Sequence, residues 1–151
     1  MQIALVAVGR LRPYYRDACD DYLRRLRRHA KIAEHEIREG PDANPVVQRR
    51  EEAVRIRAQL PKGGQIVALA IDGGAWSSEE LATRIDRWRL AARPLAFVIG
   101  GATGLDDALA AAADARWSLG PLTLPHELAR VVVCEQLYRA FSILAGAPYH
   151  K

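Results

Sequence analysis

The sequence predicts an α/β fold, a mainly parallel sheet flanked by helices, in a single domain over residues 1–151. Three observations lead there. Short apolar runs (QIALVAV at 2–8, IVALAI at 66–71, LAFVI at 95–99 and ARWSL at 115–119) have the length and continuity of strands buried on both faces. Segments of helical periodicity separate them. Glycine-containing turns follow several of the runs, where a parallel sheet needs its strand-to-helix connections.

Taken in order, Gly9 ends the first run, and Pro13 suits the first turn of a helix because its missing N–H has no partner there anyway. Tyr15, Ala18, Cys19, Tyr22, Leu23 and Leu26 then form one apolar face, with Arg16, Asp20, Arg24, Arg27 and Arg28 mostly opposite. KIAEHEIR at 31–38 reads as a strand. Gly40-Pro41-Asp42 is a loop, and Pro45 opens a helix to about Leu60 that is polar on most sides and is expected at the surface. After IVALAI, Asp72-Gly73-Gly74 is expected to turn the chain. Ser77 and Glu80 have the spacing of a capping box for a helix to about Ala92. After LAFVI comes the glycine turn Gly100-Gly101-Ala102-Thr103-Gly104 and a short helix from about Asp106. The last helix, from about His126 to Leu144, is apolar on nearly every side around Val131–Cys134 and is expected to be largely buried. Gly146–Lys151 shows no packing pattern.

With 151 residues, 50% apolar and 26% charged, the chain has an ordinary globular composition and length enough for a real core. No run is long and apolar enough to span a membrane, and no basic region precedes the first apolar run as a secretory signal requires. Cys19 and Cys134 form neither a disulfide framework nor a paired metal motif, as expected of a chain in a reducing cytoplasm. Charge is uneven: residues 1–62 carry 14 Lys and Arg against 9 Asp and Glu, and the remainder 8 against 9. That basic excess reads either as the footprint of a polyanion or as solvated helix faces.

In open parallel sheets, ligands bind at the carboxyl ends of strands beside a change in strand order. The segments after IVALAI, LAFVI and ARWS occupy such ends. A dinucleotide fingerprint, a phosphate-binding P-loop and a nucleophile elbow are all absent. His29, His35, His126 and His150 lack ligand spacing, so no metal is expected, and each reads as a surface or hydrogen-bonding histidine. Arg130, Glu135 and Arg139 lie on the buried last helix and must pair or be solvated; a Glu135–Arg139 pair at four-residue spacing is one outcome and a functional role the other. The terminal Tyr149-His150-Lys151 brings together an aromatic ring, a group that titrates near neutrality and a cation.

LVAVGRL near the start, SSEELA, FVIGGATGL, the block LTLPHELARVVVCEQLYRAFSI and the terminal PYHK together resemble the bacterial large-subunit (23S) ribosomal RNA methyltransferases that modify N3 of a pseudouridine, the RlmH group of the SPOUT superfamily. The resemblance spans essentially the whole chain. It implies a SPOUT-type fold with a C-terminal trefoil knot, S-adenosyl-L-methionine as methyl donor, a homodimer, cytoplasmic location, and ribosomal RNA in the assembled ribosome as substrate. By position it puts the donor pocket on Leu69, Gly100, Leu119, Gly120, Pro121, Leu122, Thr123 and Leu124, which lie in the three strand-end segments above. The chain departs from the family's pattern at Ala70, where relatives often carry an acid, at Gly74, where they carry Lys, and at Gly120-Pro121, where Pro121 removes a backbone donor.

On this reading the catalytic candidates are Tyr149 against the base, His150 as base or orienter of the N3 proton, and Arg139 as a positioning cation. Arg24, Arg25, Arg28, Arg130 and Lys151 are the candidate RNA contacts. A non-catalytic RNA-binding factor on the same fold is the rival reading, and a nucleotide-dependent oxidoreductase is disfavoured by the missing fingerprint.

Overall fold

The structure is a computed structural model that describes residues 1–150, the His150 side chain excepted. Five strands, β1 (Gln2–Val8), β2 (Lys31–Ile37), β3 (Gln65–Ala75), β4 (Leu95–Ile99) and β5 (Ala115–Ser118), form one sheet in the order β2-β1-β4-β3-β5. Every neighbouring pair is parallel. The helices are α1 (Pro13–Leu26), α2 (Pro45–Gln59), α3 (Ser78–Leu90), α4 (Asp107–Ala111) and α5 (His126–Leu144).

Alternation along the interior strand β1 sorts the two layers. From β1, Ile3, Leu5 and Ala7 pack with Leu23 and Leu26 of α1, Ile85 of α3 and Leu137 of α5. Ala4, Val6 and Val8 face the other way, onto Ala53 and Ile56 of α2 and Leu109 of α4. β4 is buried along its whole length, as a continuous apolar run in an interior parallel strand must be. Each fully buried Val, Leu or Phe there contributes about 1.5–3 kcal/mol before the entropy of ordering is subtracted.

Local signals act as their chemistry requires. Pro13 and Pro45 open α1 and α2, and Ser77 and Glu80 form the reciprocal capping box of α3. Helix α2, expected at the surface, is exposed on most sides but buries Glu52, Ala53 and Ile56 against the sheet.

The expected turn at Asp72-Gly73-Gly74 is instead the continuation of β3. The pairing with β5 shifts register between Leu69 and Gly74, so that Trp117 opposes both. This is a bulge, which bends a strand and re-aims its side chains. It leaves Ile71 91% exposed. Gly73 is required by the approach of β5: a Cβ there would lie 2.6 Å from the Arg116 carbonyl carbon.

Candidate methyl-donor cavity

A cavity of about 580 Å³ opens at the carboxyl ends of β3, β4 and β5. β3 supplies Leu69, Ala70 and, through its bulge, Ile71. The turn after β4 supplies Gly100, Gly101 and Gly104, and the segment after β5 supplies Leu119, Gly120, Leu122, Thr123 and Leu124. All the donor-pocket positions taken from the resemblance line it except Pro121, which is exposed beside it. The first turn of α5 closes one side with His126 and Ala129.

Two features build the walls. Gly104 donates its N–H to the Gly101 carbonyl at 3.0 Å and has φ +84°, which folds the turn back on itself. A Cβ on Gly100 would lie 2.6 Å from the Gly104 carbonyl carbon and 2.9 Å from the Leu105 nitrogen, so only glycine fits there. At the other wall, Ser118 Oγ accepts the Gly120 N–H at 3.1 Å and Gly120 holds φ +107°. Asp106 Oδ2 accepts the Leu109 N–H at 3.1 Å and fixes the start of α4 behind the glycine turn.

The lining is apolar apart from Ser118, Thr123, His126 and the backbone. Among the described residues, no backbone group of 121–124 bonds another backbone group. Leucine walls with free amides and carbonyls fit a flat heteroaromatic ring whose edge needs donors and acceptors and whose faces need cover. They fit an adenosyl group in that way, with Pro121 contributing no N–H. Among the described residues, His126 is the one titratable side chain in the lining. His126 was not among the candidate residues; the signal was its place in LPHELAR, directly after the donor segment.

Arg130 was expected at RNA, and the structure corrects that. The residue is 1% exposed. Its guanidinium reaches Glu36 Oε2 at 2.7 Å, Glu34 Oε1 at 3.5 Å, the Gly9 carbonyl at 2.7 Å and the Val8 carbonyl at 3.3 Å. It is a structural bolt between α5 and the carboxyl end of β1. A second bolt lies beside it: Glu127 accepts the Arg12 backbone N–H at 2.8 Å and the Arg12 Nε at 2.9 Å. That backbone bond, followed by the guanidinium, holds the Glu127 carboxyl below its usual range.

The tail also packs, contrary to expectation. Pro148–His150 forms a 3-10 turn, and Tyr149 meets the Tyr138 ring edge-on at 4.6 Å. Its hydroxyl reaches Glu135 Oε1 at 3.3 Å, and Arg139 lies over its ring at 5.0 Å. Burial, hydrogen bonding to Tyr22 and the Glu135 charge push the Tyr149 phenol up to about 12. The Glu135–Arg139 pair forms at 2.7 Å. None of these partners lines the donor cavity. Glu135 lies about 13 Å along α5 from His126 at 1.5 Å per residue.

The remaining RNA candidates divide. Arg24 and Arg25 both pair with Asp21, and Arg25 also lies over Tyr22 and Tyr138 at 5.9 and 5.8 Å. Arg28 is exposed in a depression at the amino end of the sheet, with Arg27, Lys31, Arg89 and Arg93. Lys151 and the His150 side chain lie outside the described residues. Among those described, no three His, Cys, Asp or Glu side chains are grouped to hold a metal, and no helix is long and apolar enough to cross a membrane.

An all-parallel sheet with its ligand-sized cavity in glycine and leucine loops at the carboxyl ends of adjacent strands defines a class. A family model described as "Predicted SPOUT methyltransferase" matches residues 1–150, and the chain belongs to that family. Within it, the chain is 41% identical over 155 aligned residues to ribosomal RNA large subunit methyltransferase H of Stutzerimonas stutzeri, covering 100% of both chains. It is 40% identical to the protein of the same name from Hahella chejuensis, covering 100% of this chain and 99% of that one. Among solved structures, a probable methyltransferase from Bordetella pertussis aligns with TM-score 0.55 at 15% identity, covering 93% and 96% of the two chains. The SpoU methyltransferase AviRb from Streptomyces viridochromogenes, solved in complex with AdoMet, aligns with TM-score 0.51 at 15% identity, covering 97% of this chain and 62% of that one.

Proposed function

We propose that this protein transfers the methyl group of S-adenosyl-L-methionine to N3 of a pseudouridine in large-subunit ribosomal RNA, acting in the cytoplasm on the assembled ribosome. The observation that carries this reading is the cavity at the ends of β3, β4 and β5, built around Gly100 where no side chain fits. The full-length similarity to the ribosomal RNA large subunit methyltransferase H proteins supports the substrate.

When bound, the donor supplies an electrophilic sulfonium methyl. The chain's residues supply the geometry. The Leu119–Leu124 segment and the glycine turn offer backbone groups to the adenine edge, and Leu69, Leu119 and Leu122 cover its faces. The glycine turn and the Leu119–Leu124 segment would hold a bound donor with its methyl open to an incoming nitrogen. A pseudouridine N3 proton must leave as the N–C bond forms, and among the described residues His126 is the one titratable side chain lining the cavity.

The C-terminal tail supports a homodimeric reading. Tyr149 packs against Tyr138 and Glu135 of α5, neither of which lines its own protomer's cavity. A tail with a role at the reaction therefore serves the cavity of a two-fold partner, where Tyr149, His150, Arg139 and Lys151 meet the RNA. The order β4-β3-β5, with α5 returning against α1 and α3, is compatible with the trefoil knot, which is part of the same proposal.

The test is transfer of labelled methyl groups from S-adenosyl-L-methionine to ribosomes lacking the modification. Product confined to a pseudouridine of the large-subunit RNA is expected. Ribosome binding without transfer would instead favour a non-catalytic factor.

A further inference from the structure

The depression at the amino end of the sheet has a volume of about 1080 Å³, nearly twice the 580 Å³ of the donor cavity. Arg27 and Arg28 reach it from the turn after α1, Lys31 from the start of β2, Arg89 from the last turn of α3 and Arg93 from the connection into β4. All five are exposed, and among the described residues no carboxylate lines the depression.

Local pairing does not use these charges up. Among the described residues Arg27, Arg28, Lys31 and Arg93 form no ion pair, and Arg89 meets Asp86 of its own helix. Arg24 and Arg25, one turn earlier on α1, share Asp21 instead. Helices α1 and α3 both end here, and a cation at a helix carboxyl end is favoured by the backbone dipoles. That accounts for Arg27, Arg28 and Arg89. It does not account for Lys31, which opens a strand, or for Arg93, whose Nε and Nη2 donate to the Gly63 and Gly64 carbonyls at 2.8 and 3.1 Å. Cations gathered round one hollow without an acid repel each other, and an arriving polyanion relieves that repulsion.

The depression is far from the chemistry. The length of β1, roughly 20 Å, separates the two ends of the sheet. That exceeds twice the screening length of about 8 Å in physiological salt. These cations therefore act by contact and not through their field at the donor. His29, also in the lining, stacks on Phe141 at 5.9 Å and lies 6.2 Å from Tyr138, the ring that Tyr149 packs against. The basic hollow and the C-terminal turn are contiguous through these rings.

We infer that this hollow is a docking surface for RNA backbone, in which Arg27, Arg28, Lys31, Arg89 and Arg93 contact phosphates of a stretch of RNA other than the one carrying the target base. Cations from four segments round an open depression suit a run of phosphates better than one small anion. Such contacts fix position and orientation and read no sequence. The inference rests on the methyl-transfer reading above for the identity of the RNA. It adds a second hold on the substrate, at the opposite end of the sheet from the donor cavity.

The test compares wild-type protein with Arg28→Ala/Lys31→Ala on ribosomes lacking the modification. Arg50→Ala/Arg87→Ala, which removes two exposed cations elsewhere, is the control for net charge. Donor affinity by calorimetry reports folding and should stay within twofold in both variants. Arg28→Ala/Lys31→Ala is expected to raise KM for ribosomes at least fivefold with kcat within twofold. Its slope of log affinity against log salt should fall by roughly 1.4 to 1.8, two phosphate contacts' worth. On wild-type protein, acylation of Lys31 by an amine-reactive ester, read by mass spectrometry, should slow at least fivefold in saturating ribosomes and be unchanged by donor alone. A double variant that matches the control in KM and salt slope overturns the inference, as does undiminished Lys31 acylation in the bound state. An acidic protein as the true occupant would give the first of those results. Absence of methyl transfer by wild-type protein, with the difference in salt slope intact, overturns the functional reading and leaves the docking surface standing.

Discussion

Replacing Arg130 by alanine separates a structural role from an RNA contact. The guanidinium is 1% exposed and serves two carboxylates and two backbone carbonyls, at 2.7 to 3.5 Å. Removal leaves Glu34 and Glu36 with one partner fewer, the Gly9 and Val8 carbonyls short of a donor, and a cavity the size of the lost side chain. Breaking a buried pair in this way costs about 3–5 kcal/mol, out of about 5–15 kcal/mol for a whole domain. For a chain of this length each kcal/mol is worth about 2–4 °C in Tm, so a fall of roughly 6–20 °C is expected. Arg130→Lys restores one charge but not the fork of donors, and should recover less than half of the loss. The assay is urea and thermal unfolding, with ribosome binding measured well below the new Tm. A variant that unfolds within about 0.5 kcal/mol of wild type, yet loses a unit of salt slope on ribosomes, would refute the structural assignment.

Other outcomes follow from the same geometry. Gly100→Ala drives a Cβ into the Gly104 carbonyl carbon at 2.6 Å, and donor affinity by calorimetry should fall at least tenfold, with secondary structure by circular dichroism unchanged. The Glu127 carboxyl is held below its usual range, so its stabilisation is present above the unfolded pKa of about 4.3 and fades as pH falls through the folded value. Glu127→Gln should therefore be less stable than wild type at pH 7, and the Tm gap should close on acidification. The Tyr149 phenol, raised to about 12, stabilises fully below the unfolded value of about 10 and loses that contribution between pH 10 and 12. Tyr149→Phe should remove one late-titrating tyrosine from an ultraviolet titration, and its pH–rate profile between pH 6 and 9 should keep the wild-type inflections. Cys19 and Cys134 are fully buried, and their mutual hydrogen bond and burial push the Cys134 thiol well up. Neither should react with a thiol reagent until the protein unfolds.

The strands and helices were legible because burial on both faces leaves continuous apolar runs, and because Pro13, Pro45 and the Ser77–Glu80 box mark helix starts chemically. The end of β3 was not. Asp72-Gly73-Gly74 has turn composition, yet Gly73 is there because Arg116 of β5 passes against it, a contact between residues distant in sequence. The three donor-loop segments were visible as strand ends, and the resemblance selected the residues. Arg130 was assigned to RNA because nothing within its own helix shows its partners, which sit on β2 and at the end of β1. The surroundings of Gly9 were invisible for a similar reason: only the fold brings His126 of α5 and Glu39 beside residue 9.

The central claim is that an adenosyl donor occupies the cavity between the ends of β3, β4 and β5. Hydrogen–deuterium exchange with and without S-adenosyl-L-methionine tests this most directly. The account predicts slowed amide exchange at 69–71, 100–105 and 119–124, with the amino-end residues 27–32 and 89–94 unchanged. Unaltered exchange at those three segments in saturating donor, or slowing confined to another part of the chain, would contradict it.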